Sequence, residues 1–310
     1  MPKNQLFPPE GVSPAICPTL SQLREALDTG AVLEGLVQRC DADQTLHLPL
    51  GSVQGRIPRQ EVTAPWISGA QRDIAILSRV GTTACFTVQA LSADERGAPV
   101  ALLSRRAVQE QTMDWFLAHL QPGDVLSCRV TRLEAFGAFL DIGRGVIAML
   151  PLEFLSVSRI PHTNVRLREG QTLLAAVRSI DPDRRRITMT LKELLGTWME
   201  NASRFAPGET VRGVVRSVME YGSFIELAPN LSGLAESRDG LKSGDGVAVY
   251  IKSIRPERMK IKLQVIRKLP TPEIEPLRYQ ITDGSIDRWV YSPRNYEKAP
   301  VQTIFKAACP

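Results

Sequence analysis

One stretch of this chain occurs twice, and the spacing of the two copies constrains the fold more than any other feature. Pro122-Gly123-Asp124-Val125 returns as Pro207-Gly208-Glu209-Thr210, an offset of 85 residues (207 − 122). The same offset turns Phe136-Gly137-Ala138-Phe139-Leu140-Asp141 into Tyr221-Gly222-Ser223-Phe224-Ile225-Glu226. Further on it falls to 74, where Ile180-Asp181-Pro182-Asp183-Arg184-Arg185-Arg186-Ile187 becomes Ile254-Arg255-Pro256-Glu257-Arg258-Met259-Lys260-Ile261. The missing eleven residues (85 − 74) belong to the connection after Ala235, because loops tolerate deletion and strands do not. A fainter first copy precedes these, with Thr45 to Gly51 lining up with Gly137 to Gly143 and Val80 to Arg106 closing the unit.

Each copy reads as short strands separated by Gly, Pro and Asp signals, in the second near 124–134, 137–142, 146–150, 171–180 and 186–191. Five strands with a long connection between the third and fourth suit a five-stranded Greek-key barrel. The expected fold is therefore all-β, with three tandem barrels of the oligonucleotide-binding class joined by short helices and followed by a small β-hairpin. The expected boundaries are 1–20 (a disordered segment), 21–106 (first, degenerate barrel), 107–121 (helical linker) and 122–196 (second barrel). They continue with 197–206 (linker helix), 207–268 (third barrel) and 269–310 (extension with the hairpin). Asp283-Gly284, between Leu277–Thr282 and Ser285–Ser292, is the hairpin signal, and the main role expected of this aromatic extension is packing on the last barrel.

Alternation along the second strand of each repeat supplies the functional argument. Ala138, Leu140 and Ile142 share the core face, so Phe139 and Asp141 fall on the wet one; Ser223, Ile225 and Leu227 leave Phe224 and Glu226 outside in the same way. Phe136 and Tyr221, just before the glycine, project nearby. On the last strand Arg186, Lys260 and Lys262 face out, and Arg129 and Arg216 take the outer parity on the first. Rings beside cations offer a stacking platform for unpaired bases and a positive groove for phosphates. A contact with the next domain or a long loop is the bland alternative for the rings, and plain solvation for any one cation.

The run Phe136 to Phe139, Gly143, Arg168-Glu169-Gly170, Asp181-Pro182-Asp183 and Arg186-Ile187 resembles the S1 RNA-binding domain. The likeness covers roughly residues 28–268 and is strongest in the second unit; the triple arrangement is similar to short ribosomal proteins built from such repeats. The resemblance implies single-stranded RNA, mRNA in particular, as partner. It also implies RNA contacts at Phe136, Phe139, Asp181 and Arg186, and at Tyr221, Phe224 and Lys260; His162, in the long loop, falls where such domains commonly carry a histidine. Pro151 and Glu236 stand at the family's other histidine position, and Arg255 replaces the third unit's acid. In the first unit His47 replaces the stacking ring, which suits a barrel that docks on protein, here the small ribosomal subunit.

Composition agrees without deciding. A net charge of +5 suits a polyanionic partner. The five cysteines are scattered at Cys17, Cys40, Cys85, Cys128 and Cys309, so neither a metal site nor a cofactor is expected. No phosphate-cradling loop or paired metal-binding histidines point to an enzyme. With no membrane-spanning apolar run and no signal-peptide order in residues 1–18, the expected compartment is the cytoplasm. The competing readings are a non-ribosomal regulatory or scaffold protein of RNA metabolism, barrels that mainly bind protein, and a general binder of single-stranded DNA.

Overall fold

The computed structural model describes residues 6–12, 17–67, 73–236, 239–270 and 276–306. The first unit opens with α1 (Leu20–Thr29), started by a Thr19–Gln22 capping box that satisfies orphan amides at both positions. Leu23 and Ala26 bury its inner face. Then come β1 (Leu33–Leu36), β2 (Arg39–Cys40), β3 (Leu46–Leu50), β4 (Val53–Ile57), α2 (Asp73–Leu77), β5 (Thr83–Ala93) and β6 (Pro99–Ser104). They form a six-stranded half-barrel in the order β1-β5-β6-β4-β3-β2, not the closed five-stranded barrel expected for this unit. The first strand breaks at Val37-Gln38, where consecutive amides donate to different neighbours, Val37 to the Thr82 carbonyl and Gln38 to that of His47. One strand therefore counts as two.

After α3 (Arg105–His119), the second unit consists of β7 (Val125–Glu134), β8 (Gly137–Asp141), β9 (Ile147–Pro151), α4 (Leu152–Leu155), β10 (Thr172–Asp181) and β11 (Arg186–Thr190). These strands close in the order β10-β11-β9-β8-β7. The short α5 (Trp198–Ala202) leads to β12 (Thr210–Met219), β13 (Gly222–Ala228), β14 (Leu231–Ala235), β15 (Gly246–Arg255) and β16 (Lys260–Lys268), which close as β12-β13-β14-β16-β15. In both barrels a single parallel pairing, β9 with β11 or β14 with β16, seals the Greek key. Ala138, Leu140, Ile187 and Met189 fill the second interior, and Ile225, Ile261 and Leu263 the third. Truncating Leu140 to Ala would cost about 2–5 kcal/mol, the usual range for a closed core.

Barrels two and three are not beads on a string. Their interiors, α3 and the C-terminal segment belong to one continuous apolar cluster that includes Met113, Trp198, Leu231 and Trp289; the first sheet keeps its own core. Hydrogen bonds also tie the two barrels together across their seam. Asn230, at the β13–β14 turn, accepts from the Val157 amide at 2.9 Å and donates from Nδ2 to the Lys192 carbonyl at 2.7 Å.

Both ends of the chain depart from expectation. Residues 6–12, placed within a disordered segment, form a packed strap over the first and second units. Its Glu10 accepts from Arg105 Nε at 2.6 Å and Nη2 at 2.7 Å, and its amide donates to Asp141 Oδ2 at 2.9 Å. Phe7 packs edge-on against Trp115 at 5.1 Å. The sequence hid this because the partners lie far along the chain. Residues 1–5 and 13–16 of the same segment lie outside the described residues. At the other end Asp283-Gly284 does not close a hairpin. The Gly284 carbonyl instead accepts from the Val125 amide, and Ser285 bridges Asp124 of the second barrel. The antiparallel pair there is β17 (Arg288–Val290) with β18 (Gln302–Ile304). It holds on to both barrels: Tyr291 donates its hydroxyl to the Asn230 carbonyl of the third, and Thr303 donates to Glu193 beside the second at 2.7 Å.

Candidate nucleic-acid interface

A ring pair stands on each later barrel in nearly the same geometry. Phe136 and Phe139 meet edge to face at 6.2 Å and 89°, Tyr221 and Phe224 at 6.3 Å and 89°. Phe136 is 57% exposed and Tyr221 67%, while Phe139 and Phe224 are half-buried at the foot of each pair. The intervening glycine is required by a close approach, joined at Gly222 by a φ of +151° that other residues rarely adopt. A Cβ on Gly137 would sit 2.7 Å from the Leu150 carbonyl oxygen, and one on Gly222 2.3 Å from that of Ala235. Only glycine lets the third strand run this near the second, which lifts the preceding ring clear of the sheet.

The ladder registers say what shares the face. Phe139 opposes Arg132 on β7 and Met149 on β9, and Met149 opposes Thr188 on β11. Phe224 opposes Ser217 and Leu234, and Leu234 opposes Lys262. Lys262 thus lies in the ring row of the third barrel, and Arg132, its side chain 69% exposed beside Glu134, in that of the second. Arg186 and Lys260 are exposed two residues earlier on their strands, opposite Asp181 and Arg255. Asp181 accepts from the Arg184 amide at 3.1 Å and shapes that turn. His162 caps a short 3-10 turn: its Nδ1 accepts from the Asn164 amide at 3.1 Å, and the neighbouring Thr163 ties the turn to the Glu134 carbonyl at 3.0 Å.

Three expectations about this face need correction. Asp141 is not wet: it is buried under the strap and accepts from the Glu10, Gly143 and Gly145 amides. Burial first, and the Glu10 carboxylate after it, push its carboxyl up to about 7. Burial also opposes ionisation of Glu10, but the charge and hydrogen bonds of Arg105 outweigh it and hold Glu10 below the usual carboxylate range. Glu226 is buried too, between Arg166 of the second barrel's long loop and Arg216. Arg216 in turn is no free cation, because its Nε donates to Glu226 at 2.5 Å.

For Arg216 the fault lies with a β-bulge. The register shifts between Val215 and Ser217, and between Val130 and Arg132, so one extra residue turns the face by one position. Counting by twos from Arg129 lands on Thr131 and passes over Arg132. Arg129 itself serves the strap, donating to the Glu10 carbonyl at 2.8 Å. Arg185, from the basic turn, is also engaged, stacked over Trp66 at 4.4 Å and bonded to Asp114. In the first unit the ring position holds His47, which is buried and paired with Asp41 at 2.8 Å. Among the described residues no helix is long and apolar enough to cross a membrane.

The second barrel matches a known family: residues 119–192 fit the S1 RNA binding domain. Over 270 residues the chain is 29% identical to the small ribosomal subunit protein bS1 of Staphylococcus aureus strain COL, a match covering 82% of this chain and 66% of that protein. It is 32% identical over 203 residues to the protein of the same name from Leuconostoc lactis, covering 60% of this chain and 47% of the relative. The chain thus spans between about half and two thirds of the relatives it matches. Among solved structures, a multidomain protein with nucleic acid binding domains from Streptococcus pneumoniae aligns over 76% of this chain and 73% of its own, at 14% identity and a TM-score of 0.25.

Proposed function

We propose that this chain, with an S1 RNA-binding domain as its second barrel, is a ribosomal S1-like protein that captures single-stranded mRNA for the small subunit on the ring faces of barrels two and three. Phe136 and Tyr221 stack on bases, Phe139 and Phe224 support them from below, and Arg132, Arg186, Lys260 and Lys262 attract the phosphates. His162 and Asp181 border the face in the second barrel. The observation that carries this reading is the recurrence of one exposed ring pair, in one geometry, at equivalent places on two barrels. A core position, or packing against another part of this chain, would not leave the outer ring of each pair more than half exposed. The half-barrel, without such a pair, takes the docking role toward the small subunit, and the working compartment is then the cytoplasm.

The test is a fluorescence-anisotropy titration of labelled single-stranded RNA, duplex RNA and single-stranded DNA at two salt concentrations. Single-stranded RNA should bind tightest, with an affinity that falls as salt rises. Equal affinity for duplex would refute base stacking. Co-sedimentation with ribosomal subunits separates the ribosomal role from a free regulatory or scaffold role.

A further inference from the structure

Between the second and third barrels lies a cavity of about 370 Å³, and arginines outnumber carboxylates among its described lining residues. Arg166, Arg204, Arg212 and Arg216 line it together with Phe205, and Glu226 is the one carboxylate among the described lining residues. The volume lies within the range of small-ligand sites. Two of the arginines are deep: the side chains of Arg166 and Arg216 are only 2% and 8% exposed. Glu226 neutralises one of them and not both, so the buried triad keeps a net positive charge. Arg166 Nε is sealed from water and has no hydrogen-bond partner among the described residues. Burial, and the like charge of Arg166, lower the Arg216 pKa despite Glu226, as crowding of uncompensated cations should.

The triad alone is a poor device for stability, since a buried ion pair of matched charge already struggles to repay its desolvation. An excess buried guanidinium is costlier still. It is, however, what recognition of a phosphate group needs, because guanidinium forks offer paired donors to phosphate oxygens. The position adds meaning. Glu226 follows Phe224 by two residues on β13, so this lining residue lies about 7 Å along the strand from the ring.

We propose that this inter-barrel cavity binds a phosphate group, held by Arg166 and Arg216 at its floor and by Arg204 and Arg212 at its rim. The phosphate comes either from the backbone of an RNA strand or from a free nucleotide. The inference stands independently of base stacking on the rings.

The experiment follows the arginine side-chain Nε–H signals of the full chain by NMR while inorganic phosphate, then uridine monophosphate, is added. Saturable shifts at Arg166 and Arg212 are expected. Arg212→Gln should weaken the binding about tenfold or more, the usual loss for one charged hydrogen-bonding partner. Glu226→Gln, which removes the competing anion, should tighten it by a similar factor; a purely structural triad would give no tightening. If Glu226→Gln does not fold, Arg212→Gln carries the test alone. A uridine oligonucleotide that displaces bound phosphate identifies a backbone seat, and one that leaves uridine monophosphate in place identifies a nucleotide seat. Absence of saturable shifts in the unmodified chain with every probe overturns the proposal. The Phe136 and Tyr221 variants, with their rings removed, must still bind inorganic phosphate.

Discussion

Replacing Phe136 and Tyr221 together with alanine separates the binding role of the rings from any structural one. Both are exposed, so the cost to stability is confined to the two edge-to-face contacts, each worth about 0.5–1.5 kcal/mol. The loss on the RNA side is larger. A base stacked on an aromatic contributes about 1–3 kcal/mol, so two lost stacks remove about 2–6 kcal/mol. At 1.4 kcal/mol per tenfold this is roughly a 30- to 20,000-fold rise in Kd, if sites on separate barrels add. Anisotropy of a labelled single-stranded RNA long enough to reach both barrels reads the affinity, and a circular-dichroism melt reads the fold. Ile74→Ala, an exposed apolar residue on α2, serves as the control that should change neither. An affinity within about twofold of the parent, with an unshifted melting curve, would refute stacking on these rings.

Other consequences are as direct. Neutralising Arg186 and Lys260 with glutamine should flatten the plot of log affinity against log salt by about 1.4, at about 0.7 per lost phosphate contact; an unchanged slope removes both from the RNA path. Glu10→Gln leaves the Arg105 charge without its carboxylate and should cost about 3–5 kcal/mol of strap docking, read by hydrogen exchange of the Gly143 and Gly145 amides. Docking of the strap should also depend on pH. Asp141 has a folded pKa raised to about 7 from 3.8, so its contribution is full below 3.8 and is lost as pH rises through 7. Glu10, held below 4.5, contributes in the opposite sense, present above 4.5 and lost as pH falls through its folded value. Protection of Gly143 should therefore peak in mildly acidic solution, and a flat profile from pH 4 to pH 8 would contradict the buried placement of Asp141. Tyr291→Phe deletes the bond to the Asn230 carbonyl and should lower stability by about 1–3 kcal/mol in a urea titration.

The repeat made most of the architecture readable. Ladder alternation placed Leu140 and Ile225 inside and the ring pairs outside, because β8 keeps one register from Gly137 to Asp141 and β13 from Ser223 to Glu226. The reading failed wherever the ladder is irregular or the partner is remote. Bulges at Thr131 and Arg216 moved Arg132 onto the face and Arg216 off it, and nothing local marks a bulge when no glycine accompanies it. Asp141 and Glu226 looked solvated because a carboxylate at outer parity ordinarily is; each is buried by a residue from elsewhere, Glu10 in one barrel and Arg166 in the other. The break at Val37-Gln38 that opens the first ladder has no breaker residue to announce it. Asp283-Gly284 was a sound turn signal, but Ser285 after it bridges Asp124, and the nearby β17 pairs with β18 rather than with the segment before the turn.

Ultraviolet cross-linking of uridine-rich single-stranded RNA to the intact chain, with the attached residues identified by mass spectrometry, probes the two faces at once. Adducts are expected at Phe136 or Phe139 and at Tyr221 or Phe224, all suppressed by excess unlabelled strand and none formed with duplex. Adducts confined to the half-barrel, or to the C-terminal strand pair, would contradict it.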